Sequence, residues 1–217
     1  MNFYFPEGSR LYYSSTFAAA KTLTVVSNAT PDALATSASH GYSDNDELLY
    51  EGGWEDVDGM VFRADQQSTD TFKLLGLDSS DTDFFPAGSG VGTTKKISDW
   101  VAIPRLKNDI STDGGDPRFN DINLLARRNG IRVPVGFNPS NFNVSMYDDP
   151  SDATITAMLA LSRRLTPLAF KMVVSGGATS YGYGYMSVGE VPRIQSGDAN
   201  TRAVSLALVS RWQTYTS

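Results

Sequence analysis

The chain has 217 residues, 18 basic and 24 acidic side chains for a net charge of −6, and no cysteine. It is long enough to bury a working core unaided, and disulfides, thiolate zinc sites and thiol nucleophiles are excluded. The acidic balance argues against a protein that grips nucleic-acid phosphates, and no apolar run approaches the roughly 20 residues needed to cross a bilayer.

The start, "MNFYFPEGSR", lacks the basic and apolar regions of a secretion signal, so the chain is expected to act in solution, in a cytoplasm or a particle assembled there. Residues 22–86 read as a run of short strands separated by their own turns, a small inserted β unit. Within it, His40 is the only histidine, in "SASHGYSDNDELL" beside Asp44, Asp46 and Glu47. A zinc site would need a second imidazole or a thiolate, so a structural turn is the preferred reading. "DSSDTD" has acidic residues at 78, 81 and 83 but lacks the central glycine and terminal glutamate of a calcium loop. "PAGSGVGTTKK", from Pro86, reads as a flexible joint; it lacks the Gly-Lys-Ser/Thr order of a phosphate loop.

Residues 111–140 are long, polar and poor in regular pattern, which in a compact domain marks a functional or disordered loop. After it, "NFNVSM" alternates strictly and places Phe142, Val144 and Met146 on one face of a strand. "DDPSDATITAMLALSRRL" reads as the one clear helix. Asp149 is expected as its N-cap and Pro150 at the first helical position, Ile155, Met158, Leu161 and Leu165 recur at helical spacing, and Pro167 stops it. "AFKMVVSGGATSYGYGYMSV" reads as a hairpin turning at residues 175–178, its second strand carrying Tyr181, Tyr183 and Tyr185 on one face. Those tyrosines suit packing or a subunit contact better than a ligand platform. "AVSLAL" repeats the alternation at Val204, Leu206 and Leu208. The expected fold is mainly β, a sheet packed against a single helix, plus the small inserted β module. No catalytic set converges, and no metal or cofactor is expected.

Two resemblances add to this. "GSRLYY", "DWVAIP", "GGDPRFNDINLL", "GFNPSNFNVSMYDDPSDATITAMLAL", "LAFKMVV" and "VSLALVSRWQTY" together resemble the major tail tube protein of long-tailed, siphovirus-type bacteriophages. The likeness spans residues 1–21 and 87–217, a discontinuous core, and rests on the order of elements more than on invariant residues. It implies a mainly β fold, a β-sandwich or barrel with one flanking α-helix, assembled in the host cytoplasm into hexameric rings that stack into a virion tail tube through which the genome is ejected. The partners implied are further copies of the chain, transient tape measure protein and DNA in the lumen, and other tail proteins such as the terminator and the baseplate or distal tail.

Under that resemblance, loop 111–140 is the element that reaches the next ring, with Arg118, Asn120, Asp121, Arg127, Arg128 and Arg132 as contacts. Asp109, Asp113, Asp116 and Asp121 are the candidates to face the lumen. The inserted unit 22–86 is similar to a small β-barrel module of phage structural proteins. It carries His40-Gly41, Asp46, Asp58-Gly59 where Asn-Gly is commoner, and Thr71-Phe72-Lys73-Leu74. His40, Gly41 and Asp46 are then expected to order one of its turns. A tail terminator or a related secretion-tube ring protein is the alternative, and a carbohydrate-binding module a more distant one.

Overall fold

The structure is a computed structural model that describes residues 7–194 and 196–216. Residues 1–6 of the expected core segment, together with Gln195 and Ser217, lie outside the described residues. Chain order begins with β1 (Arg10–Ser14), β2 (Thr16–Phe17), β3 (Lys21–Leu23), β4 (Val25–Val26), β5 (Ala33–Thr36) and β6 (Glu47–Gly52). It continues with β7 (Val61–Gln66), β8 (Thr71–Leu74), β9 (Gly92–Ser98), β10 (Val101–Ala102), β11 (Ser111–Asp113), β12 (Pro117–Ile122) and β13 (Ile131–Phe137). It closes with β14 (Asn141–Tyr147), α1 (Ala153–Arg164), β15 (Pro167–Val173), β16 (Thr179–Val188), β17 (Thr201–Leu208) and β18 (Gln213–Tyr215). The described residues are mostly β, with antiparallel sheets and a single α-helix, as the alternating patterns predict.

Two β bodies result. In the first, the order is β9-β6-β7-β8-β5, and both ends of this sheet are met by one run of chain: β3 pairs with β9 and β4 with β5. Residues 21–26 thus close the sheet on itself, which leaves few unpaired edge groups. The inward side chains, among them Leu48, Tyr50, Trp54, Phe62 and Phe72, form its core. Residues 86–96, expected as a flexible joint, are part of this barrel. Trp54 Nε1 donates to Pro86 O at 3.0 Å, Tyr50 OH to Gly90 O at 2.7 Å, and β9 is a full strand against β6. The glycines are there for close approach: a Cβ on Gly90 would sit 2.8 Å from the Trp54 ring.

The second body is the sheet β1-β15-β16-β17-β14, with β18 beside the first half of β16. Its outer strands are again covered by one run of chain. Val101–Ile103 follows β1, with Ile103 N donating to Leu11 O, and residues 105–113 follow β14. Alternation decides the burial: Phe142, Val144 and Met146 of β14 and Val204, Leu206 and Leu208 of β17 point inward as predicted. The β15–β16 turn falls at residues 174–178, where Gly176 takes a φ of 65° and Gly177 N donates to Val174 O.

The helix starts three residues later than expected. Asp152 is the N-cap, its Oδ1 accepting from Thr154 N at 2.8 Å, whereas Asp149 accepts from Ser151 in a preceding turn. Both aspartates qualify chemically, and Arg105 pairs with both, at 3.0 and 3.1 Å. The helix ends at a left-handed Leu165, with Ile155 and Met158 in the core of the second body.

Two buried phenols, Tyr50 and Tyr181, and the half-buried Tyr215 make stability sensitive to alkali. Burial raises Tyr50 and Tyr215 to about 12, and it raises Tyr181 further, aided by the Glu47 carboxylate against the opposing Arg63. A folded-state value above the ordinary 10.0 means full stabilisation below pH 10, lost as pH rises toward 12. Titration followed by phenolate absorbance is expected to show a late class of tyrosines ionising together with loss of the near-ultraviolet circular dichroism. Ionisation of every tyrosine near pH 10 with the fold intact would contradict these positions.

Candidate functional site

His40 is 2 % exposed, inside the barrel. Its Nδ1 accepts from Tyr42 N at 2.9 Å, so Nε2 carries the proton and donates to Ser68 O at 3.0 Å. The ring packs against Tyr42 and Phe72, with centroids 5.2 and 4.9 Å away. Gly41 beside it has a φ of 69°, and Asp46 accepts from Ser43 N and pairs with Lys96 at 2.7 Å. Both imidazole nitrogens are engaged by backbone, which leaves neither free for proton transfer or a metal.

The two bodies meet across a polar cluster that sequence reading did not find. From the barrel, Glu47 of β6 accepts from Lys171 Nζ at 2.9 Å, from Tyr181 OH at 2.6 Å and from Trp100 Nε1. Arg63 of β7 donates to Tyr181 OH at 2.9 Å and lies between two rings, 4.8 Å from the centroid of Tyr215 and 5.3 Å from that of Tyr181. Tyr215 in turn donates to Leu75 O at 2.8 Å. Around this cluster Leu49, Val61 and Ile97 pack on Ala169 and Tyr181. The bodies are therefore locked face to face, with every buried side-chain polar atom among the described residues paired.

Of the tyrosine stripe, Tyr181 is buried here, Tyr183 meets Phe17 edge-on at 6.2 Å, and Tyr185 stays 43 % exposed. Trp54 is inside the barrel, Trp100 is in the cluster and Trp212 packs on Phe142. The three tyrosines and the three tryptophans are thus not gathered on one surface, as a carbohydrate-binding platform would need.

The segment 111–140, expected to lack regular structure, is largely a projecting antiparallel hairpin. β12 and β13 pair only with each other, and the register slips by one residue between Arg118 and Phe119. Its root is fixed by Gly114 and Gly115 at φ of 83° and 77°, packed so closely on Pro139 and Ser140 that a side chain on Gly114 would collide. Asp121 faces Arg132 across the strands at 3.3 Å, and Arg132 covers the Phe119 ring at 5.1 Å. The opposite face carries Ile122, Ile131 and Val133 with Asn120. The tip is a turn in which Arg127 N donates to Leu124 O, and Leu124 (51 %) and Leu125 (108 %) stand in solvent.

Among the predicted contact residues, the structure brings Asp121 and Arg132 together, sets Arg118 near the root and leaves Arg127 and Arg128 exposed beside the tip. Of the acidic candidates, Asp109 accepts from Ser145 N at 3.0 Å alongside β14, while Asp113 and Asp116 flank the two root glycines in solvent. The arm thus buries none of its apolar side chains, which is unusual for a two-stranded hairpin.

The sequence model for the phage tail tube protein family, TTP, matches residues 52–217, well over half of the chain. The chain belongs to this family. The match begins in β6 and takes in the later barrel strands, the whole hairpin arm and everything after it. No curated protein matches the chain. As a member of the tail tube family it is a structural protein of a bacteriophage tail, and no helix among its described residues is long and apolar enough to cross a membrane.

Proposed function

We propose that this tail tube subunit assembles into hexameric rings that stack into a tube, and that the genome passes through the tube on ejection into the host. The observation that carries this is the arm 116–138, which exposes Leu124, Leu125, Val135 and Phe137 on a chain whose family is that of tail tubes. Its Arg118, Asn120, Asp121, Arg127, Arg128 and Arg132 provide the polar part of the contact with the next ring. Other tail proteins, the tape measure protein among them, meet the same tube.

A duplex that slides needs a wall that does not bind phosphate, and a charge of −6 per chain suits a repelling bore. Asp109, Asp113, Asp116 and Asp121 are the residues proposed for that wall. The barrel, expected at 22–86 and built from strands between Thr16 and Ser98, is proposed as an external decoration held rigidly by the Glu47 cluster. Electron microscopy of the concentrated pure protein is expected to show long tubes, with carboxylates along the channel in a reconstruction. Isolated rings would indicate a terminator role instead. A persistent monomer, or a bore lined by lysine and arginine, would defeat the reading.

A further inference from the structure

We infer that the arm tip of one copy seats in a groove at the arm root of another, with the leucines in an apolar slot and the arginines over an adjoining acidic cavity. This deepens the tube reading and rests on it. The slot is a cavity of about 550 Å³ formed where three parts of the chain meet. Phe137 and Pro139 come from the arm root, Leu208 and Val209 from the end of β17, and Asp56 from the barrel. Phe137 and Val209 are 72 % and 56 % exposed, so the slot is open and has an apolar wall, and Asn138, Ser210 and Arg211 form its polar rim.

Asp56 also lines a second cavity, of about 560 Å³, with Glu55, Asp83 and the exposed Phe84. The two therefore adjoin at that residue, the first mainly apolar and the second acidic. Against that acidic side the surface supplies one basic partner, Arg211, paired with Asp56 at 3.1 Å.

The arm tip has the matching order. Leu124 and Leu125 precede Arg127 and Arg128 within a single turn, all four exposed and none in an ion pair given by the structure. A chain cannot seat its own tip. The seven residues of β13 alone, at ~3.3 Å each, hold the tip about 20 Å or more from the root. The occupant is therefore a second copy. Because tip and groove are different surfaces, each bound copy offers a fresh groove and a fresh tip, and the contact can be repeated from copy to copy.

The absence of cysteine permits a direct test. Leu125→Cys and Val209→Cys variants are made separately, mixed, polymerised and oxidised, with Asn138→Cys as a second groove position. The expected result is a disulfide-linked dimer from mixtures that pair position 125 with a groove position, and none from any variant alone. A chain carrying Leu125→Cys and Val209→Cys together should give a covalent ladder. Arg127→Glu with Arg128→Glu should raise the concentration needed for polymerisation by about tenfold or more, and Glu55→Lys with Asp83→Lys on the same chain should restore it. Polymers that form yet link position 125 only to itself, or to neither groove position, would overturn the acceptor while leaving the tube intact. Failure of the unaltered chain to polymerise would remove the tube reading and this inference with it.

Discussion

Replacing residues 116–138 by a short turn is expected to yield a folded monomer that no longer polymerises at any accessible concentration. The folded half of this expectation follows from burial. Every residue of β12 is exposed, β13 has none buried, and neither strand pairs with anything outside the hairpin. A two-stranded hairpin contributes little stability of its own, and this one covers no core. The two sides of the root already lie against each other, since Gly115 N donates to Asn138 O and Gly114 packs on Pro139, so the chain ends to be joined are close together. The melting temperature should therefore move by no more than about 2–4 °C, the equivalent of ~1 kcal/mol for a chain of this size. The assembly half follows from where the apolar surface lies. Exposed Phe119, Ile122, Leu124, Leu125, Val135 and Phe137 all leave with the arm. Sedimentation velocity and thermal unfolding together decide the matter. Tubes formed without the arm would show that ring contacts lie elsewhere, and a melting point lowered by ~10 °C would show that the arm is integral to the fold.

Sequence pattern carried the parts of this fold whose cause is local. β14 and β17 were legible because one face is buried and the other is not, so residues two apart repeat the same environment. The β15–β16 turn was legible because its glycines are needed for backbone conformation. What escaped notice has causes far away in the chain. Gly90 and Gly92 resemble linker residues until Trp54 and Glu51 are seen against them. The arm shows no alternation because both faces are in solvent, and Pro117, Pro134 and the register slip break up what pattern there is. Asp149 reads as the cap because Pro150 follows it, yet its Oδ1 is taken by Ser151, and it is Asp152 whose Oδ1 accepts from Thr154 N in the first turn. The interbody cluster joins Glu47 to partners 124 and 134 positions later, a distance over which no sequence periodicity operates.

That cluster makes Glu47→Ala the substitution with the largest expected effect on stability. Its carboxylate is the single acceptor shared by an ammonium, a phenol and an indole, and the Glu47 and Lys171 side chains are only 15 % and 20 % exposed. Truncation leaves the Lys171 charge among the rings of Trp100, Tyr12 and Tyr181 with no counter-charge, and Tyr181 OH without its acceptor. Breaking a largely buried pair from one side costs about 3–5 kcal/mol, because the surviving charge stays desolvated. For a chain of this length that lowers the melting temperature by roughly 6–20 °C. Glu47→Gln keeps an acceptor in place and should lose roughly half as much. Removing both charges, with Glu47→Gln and Lys171→Met together, should recover part of the loss, and the double-mutant cycle isolates the pair from the packing around it. The cluster also couples the two bodies, so unfolding of Glu47→Ala by denaturant is expected to separate into two transitions where the unaltered chain shows one. A single unchanged transition, displaced by less than about 1 kcal/mol, would mean that the apolar contact of Leu49, Val61 and Ile97 with Ala169 and Tyr181 holds the bodies together by itself.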